Sequence, residues 1–161
     1  MNDNGKINYG LNLNSASEEI SVSDVPFTQF FNVMLKGDYE ANGIGLQNNN
    51  TGTINITLPL GSTITNAFLY WYALENSTTL SNTGSLNNIA ITGTLIASST
   101  SDPCFFHEST HFFRADVTNI VNSGVNNVQI NPGGSETLID GASLVVIFSN
   151  PAFPRKQINH Y

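Results

Sequence analysis

Residues Phe112–Ile130 read FFRADVTNIVNSGVNNVQI. An aromatic strand end runs into Asp116, whose short carboxylate is suited to accept hydrogen bonds from the first amides of a helical turn. Val117-Thr118-Asn119-Ile120-Val121 supplies a short apolar turn. Ser123-Gly124 stops it, because glycine takes the left-handed backbone that ends helices. From Asn127-Val128-Gln129-Ile130 the pattern alternates as a strand again. The spacing predicts a helix of one or two turns near 116–122 between two strands, a connection suited to a jelly-roll β-sandwich. Asp116 and Gly124 are read as structural residues of that connection.

Working outward, a period of two recurs along the chain. Ile7, Tyr9, Leu11 and Leu13 alternate with polar residues, as do Ile20 and Val22, then Phe31, Val33 and Leu35, then Ile54, Ile56 and Leu58. Each run reads as a strand with one buried face. Ala67–Leu74 and Ser143–Phe148 are apolar on both faces and predict central strands covered on both sides. Within the first of these, alternation sends Trp71 to one face and Tyr70 and Tyr72 to the other. Tyr70, Trp71 and Tyr72 are read as core, with a sugar-stacking platform as the rival. Turn residues separate the runs, among them Gly37-Asp38, Asn42-Gly43 and Pro132-Gly133-Gly134. Asp140-Gly141 reads as a hairpin turn, which makes Gly141 structural. Glu40–Asn50 and Glu75–Asn88 read as surface loops. Short strands at this spacing predict one all-β domain over 1–161, with a flexible or strand-donating arm within residues 1–25. After Pro154 the remainder, Arg155–Tyr161, reads as too short for an anchored final strand, which leaves an open sheet edge.

The charged fraction is 11%, against a usual level of roughly 25%. Asn, Ser, Thr and Gly take the place of charges, a surface suited to secreted and assembled proteins. With five Lys and Arg and a net charge of −7, the chain cannot build a basic patch, which argues against nucleic acid as a partner. No apolar run approaches the ~20 residues that span a bilayer, so no membrane span is expected. The N-terminal MNDNGKINYGLNLN lacks the basic and apolar regions of a signal peptide. Cys104 is the single cysteine. It reads first as a small buried hydrophobe beside Phe105-Phe106, with a free thiol or an intermolecular crosslink as alternatives.

His107-Glu108-Ser109-Thr110-His111 matches the H-E-x-x-H string of zinc proteases, in which a helix brings both imidazoles to one metal. Here the string lies between Phe105-Phe106 and Phe112-Phe113, where the pattern is that of a strand. On a strand the two histidines would stand about 13 Å apart, too far for one zinc. His107, Glu108 and His111 are thus the metal candidates only on a helical reading, and no catalytic residue is assigned. Calcium needs six to eight oxygens. The scattered acids Asp38, Glu40, Asp102, Glu108, Asp116, Glu136 and Asp140 include one neighbouring pair, Asp102 and Glu108, so calcium is kept as an alternative to having no cofactor. Asp116 is better explained as the cap, and Arg114 is expected to pair with a carboxylate across strands.

Three blocks carry a resemblance: Ile64–Tyr72 (ITNAFLYWY), Phe113–Val121 (FRADVTNIV) and Gly141–Pro151 (GASLVVIFSNP). Together they resemble an uncharacterised β-sandwich domain of bacterial and archaeal surface proteins, often found ahead of conserved repeat domains. The pattern there is an A-x-L-Y-W strand, a D-V-T turn, and a G-x-x-L-V-V strand followed by N-P or D-P. The D-V-T turn also resembles the jelly-roll sugar-binding domains of glycosidases. The resemblance implies a non-enzymatic subunit of an extracellular or cell- or spore-surface assembly. Such a subunit would associate with copies of itself or with other surface proteins. A carbohydrate- or surface-binding adhesin module is the alternative.

Overall fold

The computed structural model describes residues 29–47, 49–76, 79–100 and 107–160. The expected strands at residues 7–13 and 20–22, the arm in 1–25, Asp102 and Cys104 lie outside the described residues. Ten strands follow in chain order: β1 (Phe31–Gly45), β2 (Thr51–Ile56), β3 (Thr63–Glu75), β4 (Thr83–Leu86), β5 (Ile89–Thr92), β6 (Thr94–Ser99), β7 (Ser109–Asp116), β8 (Gly124–Asn131), β9 (Leu138–Ser149) and β10 (Arg155–His160). They form a six-stranded sheet ordered β10-β1-β9-β3-β7-β6 and a four-stranded sheet ordered β2-β8-β4-β5, and every pairing is antiparallel. The protein is all-β.

The two apolar runs become β3 and β9, side by side in the middle of the larger sheet. Their side chains alternate between two clusters. Ala67, Leu69, Trp71, Leu144 and Val146 enter the main core, where they meet Ile54, Ile56, Leu86, Val128 and Ile130 of the smaller sheet. Phe68, Tyr70 and Ile147 point the other way and bury against Phe31, Val33, Leu35 and Ile158. This second cluster forms because the larger sheet curls strongly. β1 pairs with β9 over Gly37–Gly45 but with β10 over Phe31–Lys36. The β1–β10 ribbon folds over the outer face of β9, β3 and β7.

Several loop expectations give way here. Glu40–Gly45 continues β1, because its backbone groups find partners along β9 despite polar side chains. Thr83–Leu86 is a strand in the smaller sheet, joined to β5 by Asn87-Asn88 with φ of 52° and 66°. Two consecutive left-handed residues make the tight hairpin whose twist suits the flanking strands, and asparagine tolerates that backbone well. Asp140-Gly141 is no hairpin turn: both residues lie inside β9, with Gly141 opposite Gly45 and Tyr72. Arg155–His160 is a strand after all, held along β1 from Phe31↔His160 to Lys36↔Arg155.

The deciding stretch closes as a single turn, and no helix occurs among the described residues. The amides of Ile120 and Val121 both donate to Val117 O, at 3.0 and 3.1 Å. Asp116 Oδ1 accepts from Thr118 N–H at 2.9 Å, the capping contact read from sequence. The turn is short because it is docked. Val117 N–H donates to Ala67 O, Ala67 N–H donates to Thr118 Oγ1, and the Val117 side chain is buried. The D-V-T turn and the alanine of the A-x-L-Y-W strand are thus two halves of one contact. Gly124 opens β8 with φ of +107°.

Candidate functional site

Two features could serve an activity: a buried acid–histidine pair near one end of the larger sheet, and the outer strand edges.

The pair is Glu75 and His111. Glu75 ends β3 and is fully buried, which a carboxylate tolerates only when it is partnered. Its Oε2 lies 2.5 Å from His111 Nδ1 on β7, and its Oε1 accepts from Ser81 N–H at 2.6 Å. Ser81, itself buried, accepts from the Trp71 indole N–H through its carbonyl at 2.7 Å and from Gly133 N–H through its hydroxyl oxygen at 2.7 Å. This hub fixes the point where the chain leaves the larger sheet for the smaller one. Trp71, 1% exposed and stacked on Phe113, is core and cannot act as a sugar platform.

The H-E-x-x-H string is not helical. His107 and Glu108 precede β7 and His111 lies within it. Glu108 is exposed and its amide donates to Asn76 Oδ1. His111 faces Glu75, not Glu108. Among the described residues no three His, Cys, Asp or Glu side chains converge as a metal site would require. Three of the acids weighed for calcium have other partners: Asp38 meets Lys156, Asp116 accepts from Thr118 N–H, and Asp140 Oδ1 accepts from Gln47. Among the described residues Arg114 pairs with no carboxylate. Its guanidinium lies over the Phe30 ring, 3.0 Å from the centroid, and its charge faces Tyr70. Among the described residues no helix is long and apolar enough to cross a membrane.

Sequence reasoning missed Glu75, which it left at the start of a loop. The signal was present, since Glu75 closes a run apolar on both faces. It also missed Asn126, fully buried and saturated by four hydrogen bonds. Its Nδ2 donates to Asn122 O and Gly124 O, and its Oδ1 accepts from Asn122 N–H and Asn87 Nδ2. Nothing in the local pattern marks Asn126 apart from its neighbours.

The edges differ from one another. β10 begins with Arg155 and Lys156, and like charges on an edge discourage pairing with another chain. β2 is partly covered by β1, whose Asn42 Nδ2 donates to Asn55 O. The remaining edge is continuous across both sheets. β5 borders the smaller sheet, the chain turns at Gly93, and β6 borders the larger one. This edge, IAITGTLIASS over residues 89–99, contains no charge and no proline. Every residue of β6 is exposed, and Ile89, Leu95 and Ile96 are 50, 42 and 38% exposed. A register shift between Leu95 and Ala97 is its one irregularity.

Residues 12–159 match the family described as "Protein of unknown function (DUF3344)". The chain belongs to the DUF3344 family. No curated protein and no solved structure matches it. The family match spans nearly all of both sheets, including the Glu75–His111 hub and the β5–β6 edge.

Proposed function

We propose that this DUF3344 domain is a structural subunit of an extracellular or cell- or spore-surface assembly, such as a fibre, appendage or sheath. In this reading copies join through strand edges, and the chain is not an enzyme and uses no cofactor. The observation that carries it is the β5–β6 edge. Over Ile89–Ser98 this uncharged, largely exposed edge presents outward backbone groups of the kind that soluble monomers ordinarily guard with lysine, proline or a covering segment. β-strand addition by a second copy would satisfy those groups. The low charged fraction and the resemblance to surface-protein domains support the same reading.

A jelly-roll arrangement belongs to the proposal. The interleaving of β1-β9-β3-β7 against β2-β8-β4-β5 supports it, since strands alternate between sheets as the chain proceeds. β6 and β10 then stand as additions flanking the larger sheet.

Electron microscopy of concentrated purified protein tests the reading, with Ile96→Lys alongside. Ordered polymers of the wild type, lost in a folded Ile96→Lys variant, are the expected result. Separate monomers that bind glycans on an array would instead favour the adhesin alternative.

A further inference from the structure

The β1–β10 ribbon is built as a strap over an apolar strip, and a histidine holds its end. Beneath it Phe68, Tyr70 and Ile147 are 4, 7 and 1% exposed. The strap hinges at Gly37, where β1 passes from pairing with β10 to pairing with β9. A side chain there is excluded, because a Cβ would stand 1.9 Å from Phe148 O. At the far end Phe30 and Phe31 pack edge-on against Phe68, with centroids 5.1 and 5.5 Å apart. His160, the last residue of β10, reaches Tyr70 Oη with Nε2 at 3.0 Å. Burial elsewhere along β10 is slight: Arg155, Lys156, Gln157 and Asn159 are exposed, and only Ile158 joins His160 in being half-buried.

The surroundings of His160 favour an uncharged ring. Arg114 places a fixed positive charge close to Tyr70 and His160. Nε2 of a neutral His160 can accept the Tyr70 hydroxyl proton, whereas a protonated ring can accept none. Protonation would aim an N–H at a hydroxyl whose own proton has lost its acceptor. It would also place a second positive charge beside the Arg114 guanidinium. Among the described residues the groups facing His160 are Tyr70 on β3, Arg114 on β7, and the rings of Phe30 ahead of β1 and Phe68 on β3. On the ribbon itself, the charged pair Asp38–Lys156 and Arg155 lie toward the hinge. No carboxylate among the described residues pairs with His160.

We propose that the β1–β10 ribbon is a pH-sensitive strap, closed while His160 is neutral and released when it takes up a proton. Burial first, and the Arg114 charge second, hold the His160 imidazole below its ordinary value of 6.5. With the strap open, His160 titrates near the ordinary value, so the open form binds the proton first as pH falls. The closed form therefore loses stability from about pH 6.5 downward until the closed-state midpoint is passed. Below that point both forms are protonated and the balance no longer changes. Release uncovers the Phe68–Tyr70–Ile147 strip and frays the β1–β10 pairing from its Phe31–His160 end. This inference is independent of the assembly reading.

Amide hydrogen exchange on the whole chain tests it, with protection factors corrected for the intrinsic pH dependence of exchange. Between pH 7 and pH 5, protection along Arg155–His160 and Phe31–Lys36 should fall while that of β8 in the main sandwich holds. The fall should be about tenfold for every pH unit by which the His160 midpoint, read by NMR, lies below the free-histidine value. His160→Gln offers Tyr70 an acceptor that does not titrate, and its strap should keep constant protection across the range. Unchanged wild-type protection of β10, joint loss in β10 and β8, or undiminished pH dependence in a folded His160→Gln variant would each overturn the proposal.

Discussion

Gly93 lies directly against Trp71: a Cβ at this glycine would stand 2.3 Å from the indole Cη2 and 3.1 Å from Phe113 Cβ. The chain passes from the smaller sheet to the larger at this glycine, and its amide is held by Asn82 O at 2.7 Å. The corner works because the residue there has no side chain, and the large indole fills the space instead. Gly93→Ala forces the Trp71 ring or the strand corner to move. Overpacking of this kind costs about 1–3 kcal/mol, measurable as a shift in the urea midpoint. The variant should also loosen the alignment of β5 with β6, visible as weaker amide protection on both strands.

Glu75 is expected to be the costliest polar residue to remove. Glu75→Ala strands the buried His111 nitrogen and the Ser81 amide together. Breaking a buried pair from one side costs roughly 3–5 kcal/mol. Glu75→Gln still offers an acceptor to Ser81 and should lose less. Denaturant unfolding of the two variants checks the order; equal stability of Glu75→Ala and wild type would contradict the assignment of this hub.

Asn126→Ala removes four hydrogen bonds at once and leaves Asn87 Nδ2 and the Asn122 amide without this partner. Each buried group left unsatisfied costs about 1–3 kcal/mol. Asn126→Asp keeps the acceptor and loses both donations to Asn122 O and Gly124 O. Thermal unfolding should rank wild type above both variants.

The Asp38–Lys156 contact should matter little at neutral pH. The Lys156 hydrogen bond holds the Asp38 carboxyl below its ordinary value of 3.8. Its contribution is therefore present above the ordinary carboxylate range and lost as pH falls through the lowered folded value. Both side chains are substantially exposed, so Asp38→Asn should cost no more than ~1 kcal/mol, and less in high salt. A larger loss would mean that the ribbon leans on this pair more than its exposure allows.

Several strands were legible where apolar alternation met burial. Ile54 and Ile56, Val128 and Ile130, and the doubly apolar β3 and β9 all stand where their patterns put them. Trp71 and Tyr70 fall on opposite faces, as the period of two requires. What escaped was set by distant partners. Glu40–Gly45 looks like a loop because its side chains are polar, yet the β9 backbone makes it a strand. β10 is short and polar, and only the curl of β1 gives it a place. A turn follows Asp116 but no helix forms there, and Thr118 is tied to Ala67, about fifty residues earlier in the chain. The Glu75–His111 pair joins residues on different strands, and no local pattern links them.

The most direct test of edge-to-edge association is the concentration dependence of amide exchange along Thr94–Ser98, compared with Asn126–Ile130 as an interior reference. If copies add strands at this edge, the outward amides of β6 should exchange freely in dilute solution and become protected as concentration rises, with Ile96→Lys abolishing the gain. Fast exchange at every concentration, in protein that stays monomeric by light scattering, would contradict the account.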